Sequence, residues 1–202
     1  MHTKAFDVKK ALIKSGKKEF LAHGFDNASL RTICKNADVT TGAFYAHFAR
    51  KEELFCAIVE PTVHAFFEMY DRVMQKELSD LATGEENELE SIAFIRGHKE
   101  EFRLLFDGAA GTKYAGFKDY LIDELFAKTY QLFFDRYAGV KVDPTLVKII
   151  LAMKFTEYME LIYGRHKEEE VKELTKMLTT YTEGGFKAVI REMRQKNTKA
   201  MQ

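Results

Sequence analysis

Phe20-Leu-Ala-His-Gly-Phe-Asp-Asn-Ala-Ser-Leu-Arg-Thr-Ile-Cys-Lys-Asn-Ala-Asp-Val-Thr-Thr-Gly-Ala-Phe-Tyr-Ala-His-Phe-Ala-Arg-Lys-Glu-Glu-Leu-Phe55 sets two short helical periods between two long ones. Asn27 or Ser29 can cap a short helix at about 29–36, with Leu30, Ile33, Cys34 and Ala37 facing inward. Asp38-Val39-Thr40-Thr41 reads as a tight turn. A third helix runs through Thr40–Phe48, and Arg50-Lys51-Glu52-Glu53 opens a fourth. Upstream, residues 5–23 place Val8, Ala11, Leu12, Ser15, Phe20 and Leu21 near one stripe with lysines opposite, and Gly24 is a stop. Two short helices bury little surface by themselves. They need the first helix as a platform, with Leu30, Ile33, Val39, Phe44 and Phe48 as the shared core.

That packing leaves Thr40, Thr41, Ala43, Tyr45, Ala46 and His47 facing outward or partly so. A helix start with small side chains can enter a DNA major groove, and Gly42 allows the backbone to approach closely. Thr40 and Thr41 offer hydroxyls to base edges or phosphates, and a Thr methyl or that of Ala43 can meet a thymine methyl. Tyr45 and His47 can donate to phosphate oxygens, and Lys51 adds a cation beside a positive helix end. The start of the second helix, with Ser29 and Arg31, can clamp the other side of the groove.

These residues strongly resemble the tetracycline-repressor (TetR) family over about residues 8–57. The elements that carry the resemblance are Leu12-Ile13, Ser15-Gly16, Phe20, Gly24-Phe25, Ile33, Ala37-Asp38-Val39, Tyr45-Ala46-His47-Phe48 and Lys51-Glu52-Glu53-Leu54, without a gap. Many residue types must agree in order, so the match is specific. Asp38 stands where the family's turn usually has glycine, and Asp tolerates left-handed geometry better than most residues. Ala28 stands where Thr is frequent, and Gly16 and Glu19 replace commoner Ala and Leu. The resemblance implies a ligand-responsive, DNA-binding transcriptional regulator, most often a repressor on a palindromic operator.

Net charge is zero, but residues 1–51 carry ten basic side chains against four acidic ones, a surplus of six that the remainder must balance. A basic head on an acidic body suits a protein that offers one end to phosphates. The N-terminus has no hydrophobic leader and no apolar run is long enough to span a bilayer, so a cytoplasmic location and no membrane partner are expected. Cys34 and Cys56 are too few for a disulfide framework, and the histidines have no metal-ligand spacing. No nucleophile-base pair or phosphate-binding glycine loop is visible, so neither an enzyme nor a bound cofactor is expected.

The whole chain reads as all-α, with a head at 1–52 and a larger helical domain at 53–202. Pro61 should kink or break the fourth helix, 79–88 is a polar loop, and further helices fall at about 88–107, 113–138, 144–165 and 168–195. Phe66, Tyr70, Phe102, Phe106, Tyr114, Phe117, Tyr137, Phe155 and Tyr158 belong to an aromatic excess that can line a pocket for a small apolar or aromatic effector, or simply fill a core. Leu146, Ile150 and Met153 on one helix, and Leu174, Leu178, Tyr181, Gly184 and Gly185 on the last, are candidates for a homodimer interface. The alternative is a helical interaction protein without DNA binding.

Overall fold

The computed structural model describes residues 2–79, 84–136 and 143–200. It is all-helical over those residues: α1 His2–Asn27, α2 Leu30–Asn36, α3 Thr41–Tyr45, α4 Lys51–Ser79, α5 Gly84–Gly97, α6 Lys99–Asp107, α7 Phe117–Arg136, α8 Pro144–Tyr163 and α9 Glu168–Ala200. Compactness groups these into two units. The first holds residues 1–66 and 98–119, and the second holds 67–97 and 120–202. The expected functional division between 52 and 53 is a separate matter and stays a proposal.

In the first unit, Ile33, Phe44 and Phe48 of the expected shared core are buried, while Leu30 and Val39 are half-buried. Leu12, Phe20, Ile33, Phe44, Leu54, Phe55 and Val59 are fully or almost fully buried. Phe20, Phe25 and Phe55 meet with ring centroids 5.4–5.8 Å apart. Burying each such side chain contributes about 1.5–3 kcal/mol, which is what a pair of one- and two-turn helices needs to persist. Gly16 lies where an added Cβ would come 2.7 Å from Leu54, so the glycine that departs from the common alanine lets α1 and α4 close up.

The second unit has two small cores. Ile92, Leu161 and Val171 pack with Tyr158, Leu174 and Leu178. Val147 and Ile190 pack with Phe126, Tyr130, Leu151 and Met193.

Four expectations are corrected. The third helix ends at Tyr45 rather than Phe48: Ala46 is its C-cap, and the His47 and Phe48 amides both turn onto the one Phe44 carbonyl, so no further turn follows. The polar 79–88 segment is not all loop: α5 begins at Gly84, where Glu85 and Glu86 suit a positive helix end. The 88–107 segment is two helices, parted at His98, whose backbone (φ −117°, ψ 25°) leaves the helical region. Pro61 does not break its helix; it sits exposed inside α4 with Thr62 and Val63 buried beside it. Packing on both sides of the proline outweighs the lost backbone bond. Gly24 does interrupt α1, at φ 70° and ψ 171°, as read from the sequence.

Candidate nucleic-acid interface

Each joint of the α1–α2–α3 head is closed by a bond that can be named. Ser29 caps α2, its side chain accepting from the Thr32 amide at 3.3 Å. The Ser29 amide itself donates to Glu19 Oε1 on α1 at 3.0 Å. A capping box normally draws its carboxylate from the third residue of the same helix. Here α1 supplies it, and that is the role of the glutamate found where the family commonly has Leu. Ser15 Oγ adds a second link from α1, donating to the Ile33 carbonyl at 2.8 Å.

The turn after α2 is a Schellman closure. The Asp38 amide donates to Lys35 O and the Val39 amide to Cys34 O, at 3.2 and 3.0 Å. Asp38 takes the left-handed conformation, φ 55°, that a glycine would take without cost. Thr40 then caps α3, Oγ1 accepting from the Ala43 amide at 3.1 Å. Its hydroxyl hydrogen and second lone pair remain for an outside partner.

The residues proposed to meet DNA fall into three groups. Arg31, Thr40, Thr41, Gly42 and Tyr45 are exposed, Tyr45 to 56% although its neighbour Phe44 is fully buried. Ala43, Ser29 and His47 are half-buried. Lys51 is placed differently from a free phosphate contact. Its ammonium donates to the carbonyls of Phe25, Asp26 and Ala28 at 2.5, 3.3 and 3.0 Å, and lies 4.5 Å from the Phe25 ring centre. Three acceptors match its three N–H groups, so Lys51 ties the turn after α1 to the start of α4.

Gly42 is informative because the fold does not require it. Its φ is ordinary, and among the described residues an added Cβ would meet only Thr40 Oγ1, at a comfortable 3.8 Å. Glycine there costs helix stability without improving the packing of the free head.

The aromatic residues read as a possible pocket divide between the units. In the first, Phe66, Phe102, Phe106, Phe117 and Tyr114 form a chain of ring contacts at 5.6–5.9 Å, with Phe66, Phe102 and Phe117 buried. In the second, the Tyr70 hydroxyl meets Thr129 Oγ1 at 2.7 Å. Tyr158 donates to Glu88, and Lys154 bridges Glu88 and Glu157 at 2.9 and 3.2 Å. Burial raises the Tyr158 pKa well above the usual phenol range, and burial likewise raises that of Glu157 against the pull of Lys154. Phe155 is half-buried there, and Tyr137 lies outside the described residues. The aromatic rings are legible in the sequence, but the half-buried polar cluster of Lys154 and Glu157 with Glu88, a partner seventy residues from Tyr158 in the chain, is not.

Of the proposed interface residues, Met153 and Tyr181 are exposed, as are Gly184 and Gly185, while Leu146 and Ile150 are half-buried. Leu174 and Leu178 pack into the unit's own core. Exposed Ile149 on α8 and Met177 on α9 extend the apolar surface in their place. Among the described residues no three His, Cys, Asp or Glu side chains form a metal-binding group, and no helix is long and apolar enough to cross a membrane.

A platform helix, a capped second helix, a left-handed turn and an exposed third helix define a helix-turn-helix head. Residues 12–58 match the model for "Bacterial regulatory proteins, tetR family", the stretch on which the sequence resemblance to that family rests. The "HTH-type transcriptional regulator UidR" of Escherichia coli strain K12 is 34% identical over 59 residues, 29% of this chain and 30% of that protein. The alignment thus spans about a third of the curated relatives it matches. Beyond the head the likeness is one of fold. A transcriptional regulator of Aquifex aeolicus VF5 aligns at TM-score 0.63 with 20% identity, over 87% of this chain and 99% of that one. NalD of Pseudomonas aeruginosa, described as the secondary repressor of the MexAB-OprM multidrug efflux pump, aligns at TM-score 0.60 with 17% identity, over 89% and 96%. The architecture of a helix-turn-helix head with a larger helical domain is therefore shared with these structures.

Proposed function

We propose that this protein is a cytoplasmic transcriptional regulator, a repressor that binds a palindromic operator as a homodimer and is released by a small-molecule inducer. The observation that carries the reading is the start of α3. Thr40, Thr41, Gly42 and Tyr45 are exposed on a head whose every other joint is closed, and the glycine among them serves nothing inside the fold. Thr40 and Thr41 would supply hydroxyl and methyl contacts to bases, and Arg31, Tyr45 and His47 would meet phosphates. Lys51 would act mainly by holding the α1 and α4 ends together.

The test is the salt dependence of binding to duplexes that the protein itself selects from a random-sequence library. Neutralising several phosphates should make affinity fall about a hundredfold or more between roughly 50 and 200 mM salt. Selection of no sequence, or salt-independent capture, would leave the chain an interaction protein without DNA binding.

Dimerisation is supported by the apolar side chains left open on α8 and α9, Ile149, Met153, Met177 and Tyr181, the last 73% exposed. Patches of this kind on a helix pair suit a four-helix interface. Among the described residues nothing lies within reach of a Cβ added at Gly184 or Gly185, which leaves room for a second helix to approach. A two-fold dimer would present two heads about 34–36 Å apart or a multiple of that. Light scattering should give twice the chain mass at micromolar concentration, and Met177→Glu with Tyr181→Glu should give the monomer. A wild-type monomer under those conditions refutes the dimer.

For the inducer, the second unit offers Tyr70 and Tyr158 beside the Glu88–Lys154–Glu157 group, with half-buried Phe155 on the same helix as Tyr158. Aromatic faces with a few fixed polar atoms suit a small organic molecule. Release then requires that the molecule favour a conformation in which the two heads no longer fit one operator.

A further inference from the structure

We infer that α6 is a working part of the DNA-reading head and that Lys17 is the positioning residue through which it sets α2 and α3. The inference rests on the DNA-binding reading above and concerns what holds that surface in place.

Helix α1 is gripped on two sides within a single turn. On one side Ser15 and Glu19 hold α2, through Ile33 O at 2.8 Å and the Ser29 amide at 3.0 Å. On another, Lys17 Nζ sits between Glu101 Oε1 and Glu100 Oε2 of α6, 2.7 Å from each. Residues two apart on a helix point roughly opposite ways, so α1 lies between these two sets of bonds. A second tie follows α6: the Phe25 amide donates to the Gly108 carbonyl at 2.9 Å. The loop beyond it ties to α4, where the Lys113 amide donates to Glu52 Oε1 at 2.9 Å and Lys113 Nζ meets Glu60 Oε1 at 2.5 Å. Residues 98–119 accordingly belong to the same compact unit as the head, although the sequence assigns them to the body.

Lys17 is one of the ten basic residues of the head, yet its charge is already engaged. Partial burial pulls its pKa down, and the bonds to Glu100 and Glu101 outweigh that and raise it; the same bond lowers Glu100. An ion pair this open to water adds little to global stability. Its geometric effect is larger, because Ser15 and Glu19 lie on the opposite side of the same stretch of α1. If α6 loses its hold at Lys17, the two bonds that orient α2 are free to shift, and α3 shifts with them.

A basic residue on this head could instead touch phosphate directly, and a charge swap separates the two roles. K17E, E100K/E101K and the combined triple variant are compared with wild type on wild-type-selected duplexes at fixed salt. Amide exchange in α1, including the Phe25 amide, is followed in parallel without DNA. K17E should bind about tenfold more weakly or worse, with faster exchange at Phe25. The triple variant should return to within about threefold of wild type, with exchange slowed again. A triple variant that stays as weak as K17E, or a K17E that binds and exchanges like wild type, overturns the assignment. If the wild type selects no DNA, the regulator reading fails by itself, and the exchange measurement still decides whether Lys17 sets α1: protection lost in K17E and regained in the triple variant supports it, and unchanged protection overturns it.

Discussion

Gly42→Ala is expected to fold at least as well as wild type and to lose DNA. In the free head the new methyl would meet, among the described residues, only Thr40 Oγ1 at 3.8 Å, so nothing has to move. Replacing a helical glycine should leave stability unchanged or raise it by up to about 1 kcal/mol. If α3 enters a groove by its start, the same methyl lies between backbone and DNA. Overpacking of that kind costs about 1–3 kcal/mol, or roughly ten- to a hundredfold in affinity. Thermal unfolding and DNA affinity should therefore move in opposite directions. Full affinity in Gly42→Ala would mean that α3 does not approach DNA by this edge.

Lys51→Met should behave in the contrary way, losing stability first. Methionine keeps most of the aliphatic stem beside the Phe25 ring but removes the donors held by Phe25, Asp26 and Ala28. Charged hydrogen bonds are worth about 1.5–3 kcal/mol where water is excluded, but Lys51 is only half-buried and water can reach some of these carbonyls. A loss of about 1–2 kcal/mol in denaturant unfolding is expected, with faster amide exchange in the turn after Gly24. A variant of unchanged stability whose DNA affinity alone falls would return Lys51 to the phosphate-contact role read from the sequence.

The α1–α4 scaffold was legible because its signals are local. Ser29, Thr40 and Gly24 mark helix ends by their own chemistry, and Phe20, Ile33 and Phe44 each fall on the buried side of their own helix. Asp38 was readable as a left-handed turn residue for the same reason. The errors came where local polarity and tertiary packing disagree. A polar segment with Gly84 read as loop, yet α9 lies against Gly84 so closely that an added Cβ would strike Glu183. A break at Pro61 was one reading of the proline, yet α4 runs through it, with buried residues on both sides. Leu174 and Leu178, read as interface candidates by spacing, pack partly against Ile92, Leu161 and Val171; spacing shows that a face is buried, not everything it is buried against.

The head's fold, its exposed small-residue helix and its resemblance to a family of regulators were in the sequence alone, since caps, turns and buried periodicity are set within a few residues of each other. Tertiary structure decided what distant residues do to that head. Glu19 is a departure from the family's pattern until it meets the Ser29 amide. Lys51 is a basic residue near DNA until three carbonyls of the α1 turn enclose its ammonium. Lys17 is one lysine among many until two carboxylates more than eighty residues away close on it. A side chain's charge can be read from its identity, but its partner is fixed only when the chain folds back on itself.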